Sequence, residues 1–196
     1  MERRRFIAMT SAVVTSVGMS LTGCTTTPAS SDASPEANTG RRRSLDAHAN
    51  ESLARLFSAV HGSRELVDKA RGVLVFPSVI NAGFWFGAQY GQGVLHVSDQ
   101  PKNYYSITAL SFGLQIGAQS KAIVMLFMTQ DALDNFVNSQ GWAAGVDATV
   151  AVVQVGANGN IDTSTATSPV EAFVLTNAGL MAGVSLEGTK ISRLLI

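Results

Sequence analysis

The chain has 196 residues, of which 46% are hydrophobic and 14% charged, and its 14 basic side chains balance 14 acidic ones. Because nucleic-acid-binding domains carry a clear excess of basic residues, this balance argues against a nucleic-acid partner. The single cysteine excludes an internal disulfide and leaves no second thiol for a zinc site.

The first 23 residues have the three parts of a secretory signal. Three arginines at positions 3–5 precede an apolar stretch at 6–21, which is followed by small residues. This stretch is too short to remain as a membrane-spanning helix, which needs about 20 apolar residues. We therefore expect residues 1–23 to be a signal peptide that is removed on export. The arginines fit a general secretory signal and a twin-arginine signal equally well.

A lipid anchor is predicted directly after this signal. Leu21, Thr22 and Gly23 before Cys24 resemble the lipobox of bacterial lipoproteins, in which cleavage leaves the cysteine as the acylated first residue. Several acyl chains hold a protein firmly on a bilayer, because each buried methylene contributes about 0.8 kcal/mol. Thr25, rather than Asp, follows the cysteine, and by resemblance to Gram-negative sorting this favours an outer-membrane anchor, with the domain in the periplasm or at the cell surface.

The mature chain is predicted to begin with a lipidated flexible tether at 24–43, followed by one domain at 44–196. Residues 25–40 are mainly Thr, Ser, Pro, Ala and Asn, which cannot bury a core. Charge is uneven beyond this point: residues 41–71 hold seven basic and four acidic side chains, and residues 72–196 hold four basic and seven acidic ones. The basic end is therefore expected to face the membrane.

Helical spacing of apolar residues marks the start of the domain. Those from Leu45 to Val60 recur every three or four positions, which predicts an amphipathic helix over 44–60 that Gly62 ends. Ser63 is predicted to cap a second, shorter helix over 64–70.

Beyond Gly72 the sequence has the character of β-strands. Strands are predicted at 73–76, where Pro77 ends the first, and at 82–90, 93–97, 104–116, 120–128, 146–155 and 182–186, with turns at 92–93 and 158–159. A helix over 129–137, capped by Thr129, interrupts them. Frequent glycines within the strands indicate strong bending or close backbone packing. The predicted fold class is α+β: a strongly bent, barrel-like antiparallel sheet with N-terminal helices and one embedded helix.

Catalytic, metal and cofactor sites are not predicted. His48, His61 and His96 lack the spacing of a metal site. Asp131 and Asp134 form a carboxylate pair that the helix dipole explains better than acid–base chemistry does. Ser185 lies between glycines without the G-x-S-x-G pattern of hydrolases. We therefore expect no enzyme, although a hydrolase using Ser185 is kept as a third hypothesis.

An aromatic run at 84–86 is a candidate contact with lipid. Alternation along a strand sends Phe84 and Phe86 to one face of the sheet and Trp85 to the other. Either helices cover the outer face, or Trp85 contacts lipid.

Several segments resemble one known family. The stretches 72–78, 82–84, 89–95, 114–120 and 179–188 are similar, in order, to the SYLF domain, and the likeness extends from Leu53 to Arg193. The resemblance implies a lipid-binding module. Eukaryotic members are linked to phosphoinositide-rich membranes and to actin, whereas bacterial members are mostly exported lipoproteins, to which actin binding should not be transferred.

The resemblance also implies that an N-terminal amphipathic helix and basic residues meet the membrane. The corresponding segment here is 45–60, with the basic residues Arg41, Arg42, Arg43 and Arg55. Lys69, Arg71 and Trp85 complete the candidate lipid-binding residues. The leading hypothesis is binding of phospholipids, by anionic or phosphoinositide-like headgroups or by acyl chains, through this amphipathic helix and its basic flank, with no metal and no cofactor. The alternative is a non-enzymatic scaffold that binds another envelope protein or the cell wall.

Overall fold

The computed structural model describes residues 34–83, 86–112, 117–154, 161, 168–176, 179–181 and 184–196. The predicted signal peptide, Cys24, Trp85 and the turn at 158–159 lie outside the described residues. Within the described residues the chain forms three helices and nine strands, all part of the compact unit Ser31–Ile196.

The first helix, α1, spans Pro35–Ala59 and therefore begins nine residues before the predicted start at Ser44. The prediction that residues up to 43 form a flexible tether is wrong for 35–43. The Ser34 hydroxyl accepts a hydrogen bond from the Ala37 N–H at 3.3 Å, and Glu36 suits the positive end of the helix dipole. Proline also fits the first helical position. The predicted apolar face is confirmed, because Ala49, Leu56 and Val60 are buried.

The second helix, α2, spans Ser63–Lys69, one residue earlier than predicted. The prediction that Ser63 caps it is wrong: Gly62 holds the cap position with a φ of 81° and no side-chain hydrogen bond. The Ser63 hydroxyl instead donates to the Val60 carbonyl at 2.7 Å, at the end of α1.

Four long strands form the centre of the sheet: β1 Gly72–Gly83, β2 Phe86–Val97, β3 Gln100–Phe112 and β4 Gly117–Phe127. They are followed by helix α3 Gln130–Asn138 and by short strands β5 Trp142–Ala143, β6 Val150–Val152, β7 Val170–Thr176, β8 Gly179–Leu180 and β9 Lys190–Leu194. The sheet order is β5-β9-β3-β2-β1-β4-β7-β6, with β8 on β7.

The predicted fold class is confirmed: the sheet curls strongly into a half-barrel that carries helices. Its pairs are antiparallel except β6 with β7, which run parallel. The embedded helix is also confirmed, since the Thr129 hydroxyl caps α3 by accepting from the Ala132 N–H at 3.2 Å.

Pro77 does not end the first strand. It lies at a bulge, where the register of β1 shifts against both neighbours and the missing proline N–H does no harm. Gly93 does not mark a turn either, because β2 runs through it. A Cβ at Gly93 would come within 2.5 Å of the Val75 carbonyl oxygen. Close backbone packing therefore explains this glycine.

Other strand predictions need correction. The predicted strand 82–90 covers the end of β1 and the start of β2. In the predicted strand 146–155, Val150–Val152 is the only strand among the described residues 146–154, and the described part of 182–186 is not one. Neither β7 nor β9 was predicted, although β7 is buried along most of its length.

Each face of the sheet has its own apolar core. On one face, α3 contributes Leu133 and Phe136 to a cluster with Phe76, Phe127 and Trp142. On the other face, which we call the α1 face, α1 and α2 pack over a second cluster of side chains. Its buried members in the strands are Val73, Val75, Val94, Ala122, Val124, Leu126, Phe173 and Leu175, and Val153 directly after β6 is also buried in it.

Candidate functional site

Helix α1 crosses the sheet from β3 to β7. Near its middle, the Tyr104 hydroxyl of β3 donates to both carboxylate oxygens of Asp46 at 3.2 Å. Toward its end, Arg55 Nη2 donates to the Thr176 carbonyl of β7 at 3.2 Å. The helix therefore bridges strands that are far apart in the sheet order.

A cleft of about 390 Å³ lies between α1 and the β1–β2 pair. This volume falls within the range of small-molecule sites, about 300–1,000 Å³. The lining residues are Leu45, His48, Glu51, Ser52 and Arg55 from α1, Pro77, Ser78 and Ile80 from β1, and Tyr90, Gly91 and Gln92 from β2.

The floor of the cleft is apolar and open to solvent. Ile80 is 54% exposed and Tyr90 is 50% exposed, which is high for side chains of this size. Gly91, which also lines the cleft, packs closely against β1, because a Cβ there would approach the Ser78 carbonyl oxygen to 2.8 Å. An apolar surface with charged groups at its border is suited to amphiphilic molecules.

Charged and hydrogen-bonding groups line the α1 side of the cleft. His48 and Arg55 face it with one acidic residue, Glu51. Arg41 stands at the cleft end near Gln92: its Nε donates to Gln92 Oε1 at 3.2 Å, and Gln92 Nε2 donates to the Tyr90 hydroxyl at 2.8 Å. These contacts join the arginine to the aromatic floor.

The arginines predicted to contact lipid have different surroundings in the structure. Arg41 and Arg55 are exposed and border the cleft. Arg42 instead donates through Nε and Nη2 to the Ile196 carbonyl oxygen and lies 5.9 Å from the centre of the Tyr104 ring. Arg43 is exposed on the same helix. Arg42 therefore anchors α1 to the end of the chain, a role that the sequence did not suggest.

Lys69 and Arg71 do not line the cleft. Both are exposed, and Arg71 borders a separate depression beside α2 that also contains Asp68, His96 and Asp99. Burial lowers the pKa of His96 below its ordinary value, although the nearby carboxylates of Asp46 and Asp99 oppose the shift.

His48, Ile80 and Tyr90 were not predicted from the sequence to be members of the site. A signal for His48 was present, since positions 41, 45, 48, 52 and 55 follow one another at steps of four and three and so form one stripe of a helix. Four of these five positions line the cleft and Arg41 borders it. No comparable signal pointed to the strand residues, because their exposure depends on where α1 crosses.

Glu171 on β7 is the one charged side chain that the described residues bury completely. Its exposed fraction is 0%, and neither carboxylate oxygen has a hydrogen-bond partner there. Burial raises the pKa of this carboxyl above its ordinary value. It pairs in register with Leu126 of β4, well away from the cleft.

The described part of the chain lacks a metal-binding cluster and a membrane-spanning helix. There, no three His, Cys, Asp or Glu side chains come close enough to hold a metal ion. The helices of the same part include none that is both long and apolar enough to cross a bilayer.

Residues 108–193 match the family model described as Ysc84, Las17-binding protein actin regulator. Over these residues the chain is similar to the Ysc84 family, also called the SYLF family, and it is homologous to YSC84-like proteins. SH3 domain-containing YSC84-like protein 1 of Homo sapiens is 31% identical over 130 residues, which make up 63% of this chain and 37% of that protein. The Mus musculus and Bos taurus proteins of the same name are 31% and 29% identical, each with 38% of its length covered.

The chain thus spans well under half the length of these Ysc84-family relatives. The Ysc84 family is associated with lipid binding and actin-related binding, and it is a binding or scaffold domain rather than a known enzyme family.

Proposed function

We propose that this chain is a lipid-anchored protein of the bacterial envelope, acylated at Cys24 and held at the outer membrane, and that its domain binds anionic phospholipids. The observation that carries the binding proposal is the basic stripe of α1, with Arg41, His48 and Arg55 beside a solvent-exposed apolar floor.

Two weak attractions would act together on a phospholipid. Each basic residue near an anionic surface contributes about 1 kcal/mol, which salt screens. The floor of Ile80 and Tyr90 adds apolar contact with the upper part of the acyl chains. Because both attractions act on one side of the domain, a phospholipid fits them with its phosphate at α1 and its hydrocarbon at the floor.

The predicted anchor makes modest affinity sufficient. Residues 25–33 precede the cap of α1, and a flexible segment of this length has a root-mean-square reach of about 17 Å. A domain acylated at Cys24 would therefore work at high local lipid concentration.

Vesicle flotation tests the binding proposal. The unlipidated chain, residues 24–196 with Cys24→Ala, is mixed with vesicles of phosphatidylglycerol and phosphatidylcholine in equal parts, or of phosphatidylcholine alone. We expect association with the anionic vesicles that weakens as salt is added. No association at low salt would overturn phospholipid binding.

Mass spectrometry tests the anchor separately. Protein isolated from a bacterial host should begin at Cys24 and carry the mass of attached acyl groups. An unmodified Cys24, or a first residue elsewhere, would overturn the proposed lipidation without touching the vesicle result.

A protein partner is the second candidate, since the matching family is described as Las17-binding. In this reading the domain is a scaffold for another envelope protein or for the cell wall. Recovery of one stoichiometric envelope protein by the purified chain, together with no binding to vesicles, would favour it.

A further inference from the structure

The four long strands extend past their neighbours in the sheet. Strand β9 pairs with β3 only over Tyr104–Thr108, and β7 pairs with β4 only over Ala122–Phe127. The remaining strand ends, 79–83, 86–91, 109–112 and 117–121, pair with one another and form a four-stranded tongue. Thr108 to Phe112 alone extends the tongue by about 14 Å at roughly 3.4 Å per residue.

The α1 face of the tongue is exposed and mostly apolar, with the Ser120 hydroxyl beside Ile80. Leu110 is 80% exposed, and its partner in register, Ala88, pairs in turn with Ala82. In the next row Tyr90 pairs with Ile80. Since directly opposite side chains share a face, the five apolar residues form one surface, and Ile80 and Tyr90 connect it to the floor of the cleft.

The opposite face of the tongue is more polar, although it also includes Ala109 and the buried Val79. Asn81 pairs with Gln89 on one side and with Gln119 on the other, so amide side chains form a row across three strands. The two faces therefore differ in the direction expected of a sheet that lies with one side on hydrocarbon and the other toward water.

Charge is sparse in these strands, and the one charged residue of the tongue, Lys121, pairs with Val79 and so lies on the face opposite to Ile80. No Asp, Glu, Lys or Arg occurs in 72–98 or in 103–120. Beside this surface stand the cations Arg41 and Arg55 of α1, together with one carboxylate, Glu51. An apolar surface bordered by cations is complementary to a bilayer, whose hydrocarbon lies beneath anionic phosphates.

We propose that the α1 face of the tongue, formed by Ile80, Ala82, Ala88, Tyr90 and Leu110, inserts into the interfacial layer of a phospholipid bilayer. The cations of α1 then lie at the level of the phosphates. This inference rests on the proposed phospholipid binding and adds the part of the domain that enters the lipid.

Backbone chemistry limits the depth of insertion. Within the described residues, no strand pairs with the outer edges of β3 over 109–112 and of β4 over 117–121. Unpaired N–H and C=O groups are costly in hydrocarbon, so the tongue rests in the interface, about 5–10 Å deep, and does not cross the bilayer.

A fluorescent probe on the tongue tests the proposal. Cys24 is the only cysteine, so the unlipidated chain with Cys24→Ala accepts a single new thiol. Leu110→Cys is labelled with a polarity-sensitive dye and mixed with vesicles of phosphatidylglycerol and phosphatidylcholine in equal parts. The matched control is Val146→Cys, because Val146 is 82% exposed but lies outside the tongue. We expect a blue shift, and quenching by lipids brominated near the headgroup, at position 110 only.

Affinity gives a second measurement. Leu110→Asp should weaken binding to these vesicles by about tenfold or more, because it replaces an inserted leucine with a charge, while Val146→Asp should leave affinity within about twofold. Both positions are largely exposed, and equal melting temperatures by circular dichroism would show that both variants fold.

The outcomes separate this inference from the proposed function. If the parent chain binds but the dye at 110 behaves like the dye at 146, or Leu110→Asp binds normally, the tongue proposal is overturned and phospholipid binding stands. If the parent chain does not bind the vesicles, both the tongue proposal and the proposed phospholipid binding are overturned.

Discussion

Glu171 is enclosed by the sheet with its carboxylate unpaired among the described residues, and its raised pKa makes stability depend on pH. In the unfolded chain the group ionises around its ordinary pKa of 4.5, whereas in the folded chain it holds its proton to higher pH. Folding stability is therefore lost as pH rises above about 4.5 and through the folded pKa.

Glu171→Gln should remove the loss of folding stability at high pH. We expect the variant to be more stable than the parent by about 1–3 kcal/mol at pH 8 and nearly equal to it at pH 4, as measured by urea unfolding. Glu187→Gln is the control, since Glu187 is exposed. A gain of the same size at both pH values would contradict the assignment.

His96 changes folding stability with pH in the opposite direction to Glu171. Its pKa is lowered in the folded chain from the ordinary 6.5, so the unfolded chain takes up a proton first as pH falls. Stability is complete above about pH 6.5 and declines as pH falls from there through the folded pKa. His96→Gln should flatten the dependence of unfolding free energy on pH between 5 and 7. The same change at exposed His61 should leave the slope in place.

At the scale of elements, α1 depends on a short cap sequence. Ser34→Ala removes the hydroxyl that accepts from the Ala37 N–H, and should cost about 1 kcal/mol in the first turns. Amide hydrogen exchange should then quicken at 37–41 and remain unchanged in α3. Thr129→Ala, which removes the cap of α3, is the matched control and should have the reverse pattern.

The stripe of α1 also predicts where charge matters. Arg41→Ala with Arg55→Ala should weaken binding to anionic vesicles by about tenfold to thirtyfold, because about 1 kcal/mol is lost per residue. Lys69→Ala with Arg71→Ala removes the same charge away from the cleft and should have a smaller effect. Equal losses in the two double variants would indicate diffuse attraction instead of a site.

Elements with local signals were predictable from the sequence. The α3 cap at Thr129 and the apolar face of α1 follow from residues within one or two turns. The start of α1 was missed because its Ser, Pro, Ala and Asn composition outweighed the cap signal of Ser34 to Glu36. Strand β7 was missed because it is buried on both faces and lacks alternation, and its charged Glu171 interrupts the apolar run.

The cleft could be predicted only in part. The residues on its helical side can be predicted from the spacing between Arg41 and Arg55. The residues on its strand side line the cleft because α1 crosses the sheet at the bulge near Pro77. Register shifts of one residue decide which side chains face the helix, and no local pattern specifies them.

At the scale of the whole molecule, cores on both faces of one sheet should unfold together. Leu56 belongs to the core on the α1 face and Phe136 to the core under α3, and both are buried. Leu56→Ala should cost about 2–5 kcal/mol and Phe136→Ala about 3–5 kcal/mol. The double variant should show the sum in a single urea transition, because the sheet separates the two sites. Two resolved transitions would contradict one cooperative unit.

The alternation of the tongue has a consequence for how its sequence can vary. Neighbours such as Ile80 and Asn81 point to opposite faces, so substitutions that one position accepts should be rejected by the next. In a complete substitution scan under selection for membrane residence, acceptance of charged residues should rise and fall with a period of two along 80–82 and 88–90. Contact with a bilayer would thereby restrict which substitutions this protein accepts during evolution.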